Sequence, residues 1–465
     1  MQKMKHFLTL TLALLSAIGA GAQAQAEVET ETQQWTLEEC MLYAVEQSPV
    51  TNIQAAQNRI VGQDYLEAIG RLLPNLGASV DASFNFGRSL GDDNVYAEVN
   101  SFSNSYQVST GLTLFDGLRN VNGIRLQRIN RITGRHALAQ KRDEVAYATM
   151  EAFFNVMYYT EMVALAESQL EESRANLRQT ERMEELGLKG FPDVAEMRAQ
   201  EAANSYTLTR QQNLLAIGII LLKEKMNFPV EGELEIVHFD FGDETGEFGG
   251  GAVKTLETAA GLYARALGYL PRAQVATSTA AAQEMALRHA RGARFPTISL
   301  GAGYSTGFFR NMDGDEYASF REQFSGKRGY WAGATLSIPV FNGFTTSANI
   351  RRTKFRTDIA KIERDATLRA LYTEIEQAVA DMNGQADQHT QAVRQRESVA
   401  VAHDVNRRKY EEGLLSALEL HTSSNRLVQA RADELNSRLT YILKKRMVDY
   451  YGGMPLIPIA PVDEN

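Results

Sequence analysis

The sequence predicts an α+β chain in which hairpins of amphipathic strands alternate with helices far longer than a compact domain uses. Three observations predict it: where proline falls, a set of motifs that recurs in order, and a switch of hydrophobic period inside each half. The ten prolines leave two stretches of more than a hundred residues, Asn75–Phe191 and Val340–Met454, with none. An interior proline costs a helix about 3 kcal/mol and removes a rung of its ladder, so these are the stretches where very long helices are permitted.

The recurring motifs suggest an internal duplication. Thr36-Leu37-Glu38 returns as Thr255-Leu256-Glu257, and Leu73-Pro74 as Phe295-Pro296. Leu114-Phe115-Asp116-Gly117 returns as Val340-Phe341-Asn342-Gly343, and Gly187 with Asp193 returns as Gly413 with Glu419. Gly117 and Gly343 are 226 residues apart, and so are Gly187 and Gly413.

In chain order, residues 1–24 are expected to be a secretory signal peptide: Lys3 and Lys5 precede an apolar run from Phe7 to Ile18 and Ala-x-Ala patterns that place cleavage after Ala24 or Ala26. Its removal takes two lysines and no acid, so the net charge moves from −9 to −11. An acidic chain is a poor nucleic-acid binder. The single cysteine, Cys40, excludes an intrachain disulfide and any multi-cysteine metal site. It reads as a half-buried helix residue, not a lipid anchor.

The first repeat spans 35–228, with a helix opened by Thr36 as N-cap, a strand hairpin at about 76–115, a long helix at about 118–186 and a return helix at about 193–226. Leu76, Ala78, Val80, Ala82, Phe84 and Phe86 alternate with Gly77, Ser79, Asp81, Ser83 and Asn85. That is a strand with one apolar and one polar face. Tyr106, Val108, Leu112 and Leu114 mark the returning strand. In the long helix Val156, Tyr159, Val163, Ala166, Leu170 and Leu177 keep heptad-like spacing. Residues 229–253 form an acidic, glycine-rich linker expected to help build a belt around the helices.

The second repeat spans 254–451, with a helix capped by Thr255, a hairpin at about 297–341, a long helix at about 344–412 and a return helix at about 416–450. Ile298, Leu300, Ala302, Tyr304 and Phe308 line one strand face, with Ala332, Ala334, Leu336 and Ile338 on the return. Leu368, Leu371, Ile375, Val379 and Met382 stripe the helix. The tail, 452–465, is expected to be mobile.

Such strands suit either the wall of a membrane barrel or a soluble sandwich. A wet lumen is favoured by a polar face of Gly, Ser, Thr, Asn and Gln, and an aromatic girdle by Phe84, Phe86, Tyr106, Tyr304, Phe308 and Tyr330 near strand ends. Four strands cannot close a barrel, so the chain is expected to oligomerise. Eight strands from a dimer and twelve from a trimer both satisfy closure.

The order of signal peptide, Thr-Leu-Glu helix, Leu-Pro, hairpin, Phe-Asp-Gly, long helix and Gly-Leu turn, repeated with Pro339-Val340-Phe341-Asn342-Gly343-Phe344, resembles the TolC-like outer membrane efflux proteins of Gram-negative bacteria. The resemblance covers essentially the whole mature chain. It implies a homotrimer with a 12-stranded barrel in outer-membrane lipid continuing into a periplasmic helical tunnel. It also implies an exit duct for an inner-membrane pump joined through a periplasmic adaptor. A coiled-coil periplasmic adaptor is the competing reading from another class, but it has no need of the two hairpins.

Gly187-Leu188 and Gly413-Leu414 stand where the rods must reverse, a position that favours positive φ. By resemblance these tips form the closed periplasmic end and the adaptor-docking surface. Asp193 and Tyr410 match the family's tip-tying acid and tyrosine, and Glu419 matches an acid lining the constriction. Leu415 and Thr422 depart from the pattern, standing where relatives carry a linking arginine and a second acid. Lys189, Arg407 and Arg408 are the candidates to replace that charge. No enzyme is expected: the seven histidines include no zinc-helix pair, Gly301-Ala302-Gly303 sits in a strand, and no cofactor or metal site emerges.

Overall fold

A computed structural model describes residues 34–90, 94–98, 100–237, 252–312 and 318–457. The expected signal peptide, most of the acidic linker and the end of the tail lie outside the described residues. The elements are β1 (Gln34–Trp35), α1 (Leu37–Gln47), α2 (Pro49–Gly70), β2 (Asn75–Asn85), β3 (Arg88–Leu90), β4 (Tyr96–Glu98), β5 (Ser101–Phe115), α3 (Arg119–Glu185) and α4 (Phe191–Met226). They continue as β6 (Glu235–Ile236), α5 (Ala259–Tyr269), α6 (Pro271–Gly292), β7 (Thr297–Asn311), α7 (Phe320–Gly326), β8 (Gly329–Ser337), α8 (Thr345–Glu411) and α9 (Ala417–Gly452).

Helices of the two halves match in length: 11 residues in α1 and α5, 22 in α2 and α6, 67 in α3 and α8, 36 in α4 and α9. At 1.5 Å per residue a 67-residue rod is about 100 Å long. The single helix expected before each hairpin is two helices. Ser48 and Leu270 are extended (ψ 125°), as a residue preceding proline prefers, and Pro49 and Pro271 then open the second helix.

Thr36 caps α1 as expected, its hydroxyl accepting from Glu39 N–H while the Glu39 carboxylate accepts from Thr36 N–H. Thr255 does not cap its helix. Its N–H is held by Asn383 Oδ1 and its hydroxyl accepts from Glu257 N–H, so the helix starts three residues later with Thr258 accepting from Gly261. The Phe-Asp/Asn-Gly motifs also act as caps: Asp116 accepts from Asn120 N–H at the start of α3, and Asn342 accepts from Thr346 N–H at the start of α8.

Both hairpins join one antiparallel sheet in the order β2-β5-β7-β8. β5 pairs with β7 across the halves, bringing Val108 opposite Tyr304 and Leu112 opposite Leu300 on the apolar face. Ser, Gly, Thr, Asn and Gln dominate the other face, which also carries Asp81 opposite Ser105 and Trp331 against Gly301 and Gly303. Neither β2 nor β8 has a second partner among the described residues.

Both connections within the hairpins carry secondary structure among their described residues. The first holds the β3–β4 ribbon, and the second holds α7, announced in the sequence by the capping box Ser319-x-x-Glu322. Pairing of β7 with β8 stops at Ser305, and beyond it the Gln323 amide takes over the edge, donating to Phe309 O (2.9 Å) and accepting from Phe309 N–H (3.0 Å). Phe320 and Phe324 pack against Tyr106 and Phe308.

Below the sheet the helices form a layer in the order α2, α3, α6, α8, with α4 beside α3 and α9 beside α8 farther down. The main core sits at mid-height, where Leu37, Met150, Phe153, Leu222, Leu262, Leu371 and Ile375 are buried together. Cys40 is fully buried there, more than the sequence suggests, and burial beside Glu39 and Glu38 pushes its thiol up to about 12. The end of α9 clamps both halves: Tyr450 donates to Asp143 (2.7 Å) and Tyr451 to Glu374 (2.7 Å), which also pairs with Arg272 (2.6 Å). The tail expected to be mobile begins by docking, since Leu456 and Ile457 pack against this apolar core. β1 and β6 pair in parallel, and Leu234, in the described start of the linker, is buried in this core.

Candidate functional site: the helix tips

The end farthest from the sheet is built from two turns, α3–α4 and α8–α9. Gly187 and Gly413 have φ +74° and +76°, and each follows a Schellman pattern: Leu188 N–H donates to Met183 O, and Leu414 N–H to Lys409 O, both at 2.8 Å. Nothing lies within 4 Å of a Cβ built at either glycine, so backbone conformation, not space, calls for glycine. Leu188 and Leu414 are 67% and 73% exposed, an unusual placement for two leucines at one end of a bundle.

Asp193 and Glu419 occupy equivalent places in the first turns of α4 and α9. Asp193 reaches back to Gly190 N–H at 3.4 Å, and Glu419 completes a reciprocal box with Ser416, accepting from its N–H at 3.1 Å and its hydroxyl at 2.7 Å. The Ser416 hydroxyl, then its backbone N–H, hold the Glu419 carboxyl below the usual glutamate range. Both acids are thus helix caps first, and each keeps a second oxygen for another partner.

Tyr410 is the tip's anchor. It is fully buried with Met197, Ala417 and Leu420, and Leu177 and Leu415 pack around them. Its hydroxyl lies 2.6 Å from Thr180 Oγ1, and Thr180 itself donates to Asn176 O, so Tyr410 is the donor. Burial raises the phenol's pKa, as does the charge of Asp193. Asp193 and Tyr410 are close enough to influence one another but are not hydrogen-bonded; Gly190 and Thr180 are their respective partners.

Of the three candidate replacement charges, Lys189 lies at the junction. Its ammonium sits 4.9 Å from the Tyr410 ring centroid and donates to Leu415 O at 3.4 Å, bridging the two turns. Arg407 is occupied along its own helix by Asp404 and Glu411, each at 3.9 Å. Thr422 donates to Leu418 O. Sequence reasoning missed Thr180, whose partner is 230 residues away and has no local signal.

Above the tip the bundle interior is polar. Gln169 donates to Ser424 (2.6 Å), Asn406 to Ser423 (3.1 Å), and His403 Nε2 lies 3.2 Å from Glu172. An interior joined by hydrogen bonds has less apolar burial holding the helix pairs together than the core at mid-height.

Residues 263–444 match the family model described as outer membrane efflux protein. Among solved structures the chain is similar to CusC, described for conformational changes accompanying folding and transmembrane channel formation: 17% identity, 93% of this chain and 99% of that chain covered, TM-score 0.76. It is similar to the CmeC outer membrane channel of Campylobacter jejuni at 15% identity, over 90% of this chain and 86% of that chain, with a TM-score of 0.73. It is also similar to the outer membrane protein VceC of Vibrio cholerae at 14% identity, over 90% of this chain and 96% of that chain, with a TM-score of 0.74. No curated protein matches the sequence. The resemblance to outer membrane efflux proteins is therefore carried by sequence over residues 263–444 and by fold over nearly all of the chain.

Proposed function

We propose that this chain, matched by the outer membrane efflux family over residues 263–444 and folded like outer-membrane channels, is one third of a homotrimeric exit duct. Its barrel of twelve strands crosses the outer membrane, and its helices form a periplasmic tunnel built on a duplicated repeat. The observation that carries this reading is the pair of bare edges. β2 and β8 end the sheet unpaired among the described residues, and α2 and α8 end the helix layer on the same two sides. Unpaired strand edges in lipid cost several kcal/mol per group, and joining unlike edges head to tail closes a ring. Among the described residues no helix is long and apolar enough to cross a membrane, which leaves the sheet as the candidate span.

In this reading substrates pass from an inner-membrane pump through an adaptor that docks on Gly187-Leu188 and Gly413-Leu414, where the exposed leucines offer apolar contact. The tips are the gate. Tyr410, Lys189 and Thr180 hold the two turns of one copy together, while Asp193 and Glu419 face the constriction with their free oxygens. The adaptor reading gives no role to a sheet with two bare edges.

The purified protein should run as a heat-sensitive trimer in detergent and conduct ions in planar bilayers. A monomer without conductance overturns the duct. If three Glu419 carboxylates converge, Glu419→Gln should weaken block by multivalent cations added on the tip side. The depressed Glu419 pKa sets the sign of the pH dependence: block persists in mildly acidic buffer and fades only as pH falls through the lowered value. Unchanged block in the variant removes Glu419 from the constriction.

A further inference from the structure

The charge of this chain is unevenly placed. Between Arg119 and Arg142, α3 carries seven Lys or Arg and no Asp or Glu, in a chain with a net charge of −9. Arg125 stands on the heptad stripe that continues through Ile132 and Ala139 to Ala146 and Phe153, which are buried at mid-height where α1 packs on α3. Arg128 is its neighbour three residues on. On α8, Arg351 stands on the stripe that ends at Tyr372, whose ring packs on Tyr263 of α5. Both stripes therefore lie on the face of the helix layer that bears the belt helices. The other side of α3, with Asn120, Gly123, Gln127 and Asn130, is uncharged.

Arg125, Arg128, Arg351 and, at the end of α6, Arg291 are exposed, and none has a carboxylate partner among the described residues. Directly above them, at the junction with the sheet, Leu118, Phe295, Phe341 and Phe344 are also exposed. Arg125 and Arg351 each lie six residues into their rods, about 9 Å below the first turn, and Arg128 about 14 Å. Both rods run away from the sheet, and helical side chains lean toward the N-terminus, so these guanidinium groups reach up toward the apolar band. For Arg291 the α6 C-terminus offers a second role, complementing the helix dipole. No such local role exists for the other three, which lie in rod interiors.

We propose that Arg125, Arg128, Arg291 and Arg351 form a collar that binds the phosphate of anionic phospholipid headgroups in the periplasmic leaflet, seating the barrel at a fixed depth. The proposal rests on the duct reading, which makes the sheet the span. An apolar band followed by cations on the outward face is the order in which a bilayer presents acyl chains and phosphates. The belt-bearing face is the outer one in that reading, so the arginines meet lipid and not cargo.

The test places the trimer in nanodiscs of phosphatidylcholine alone or of equal parts phosphatidylcholine and phosphatidylglycerol, extracts it, and measures retained lipid by native mass spectrometry. Wild type should retain phosphatidylglycerol over phosphatidylcholine, with the preference shrinking in high salt. Arg125→Gln/Arg128→Gln/Arg351→Gln should lower it about five-fold per guanidinium removed. The matching lysine variant should keep most of it. Equal retention of both lipids by wild type, or an unchanged preference in the glutamine variant, overturns the collar. Inorganic phosphate is the control arm: complete displacement of lipid at millimolar phosphate would identify a free-anion site and overturn the lipid assignment. A protein that inserts and conducts without headgroup preference loses the collar alone, whereas one that does not insert loses the duct.

Discussion

Replacing Ile359 and Ile362 of α8 with glutamate is expected to leave a folded chain that no longer assembles. These residues and Phe355 are 53%, 65% and 63% exposed and lie opposite the side of α8, with Ile350, Thr353 and Thr357, that is buried toward α6. On the other edge of the helix layer, α2 exposes Ile53 and Ile60, one heptad apart. In a head-to-tail ring these edges meet. Each isoleucine buried there contributes about 1.5–3 kcal/mol, repeated at three interfaces, and an uncompensated carboxylate in the same place adds several kcal/mol of penalty. Light scattering in detergent should find single chains with helical circular dichroism retained. An intact ring in the double variant would mean that α2 and α8 do not meet, and the closure argument would fall with it.

The second large effect is expected at the tip. Tyr410→Ala removes a fully buried aromatic that touches elements of both turns, a loss of about 3–5 kcal/mol for such a truncation. Single-channel conductance should rise as the tip loosens. Tyr410→Phe keeps the ring and the Lys189 contact and loses one hydrogen bond to Thr180, about 1 kcal/mol, so its effect should be smaller. Adding Asp193→Ala to Tyr410→Phe removes the α4 cap as well, and the pair should open the channel further than either alone. Lys189→Met tests the bridge, because it fills similar volume without charge. Conductance unchanged in Tyr410→Ala would place the gate elsewhere.

The strands and rods were legible because each is a local, periodic signal. Leu76 to Phe86 alternate with period two, proline is absent from both rods, and Asp116 and Asn342 mark the rod starts by caps confined to five residues. The Thr255 cap misled because Thr-Leu-Glu is as good a start at 255 as at 36. Only Asn383, 128 residues on, claims the Thr255 N–H and moves the helix start to Thr258. α7 was legible in principle from Ser319 and Glu322, but its seven residues are too few for periodicity to show. At the tip, the turn glycines were legible from the sequence pattern, whereas Asp193, Glu419 and Tyr410 entered by the family resemblance. Neither could choose among Lys189, Arg407 and Arg408, since that depends on which side chain the α3–α4 turn presents to the Tyr410 ring.

What the sequence determined by itself is the inventory of parts: two sets of short helix, strand hairpin, rod and return helix, with glycine where each rod reverses. Dihedral preference, caps and hydrophobic period act within a few residues of one another, so they are written locally. Only the tertiary structure decided that β5 pairs with β7 to make one sheet from two hairpins. It also decided that Tyr410 bonds Thr180 and that Lys189 bridges to Leu415. Those are contacts between segments a hundred or more residues apart, chosen by burial and by hydrogen bonds that must all be satisfied together, and no local pattern encodes them.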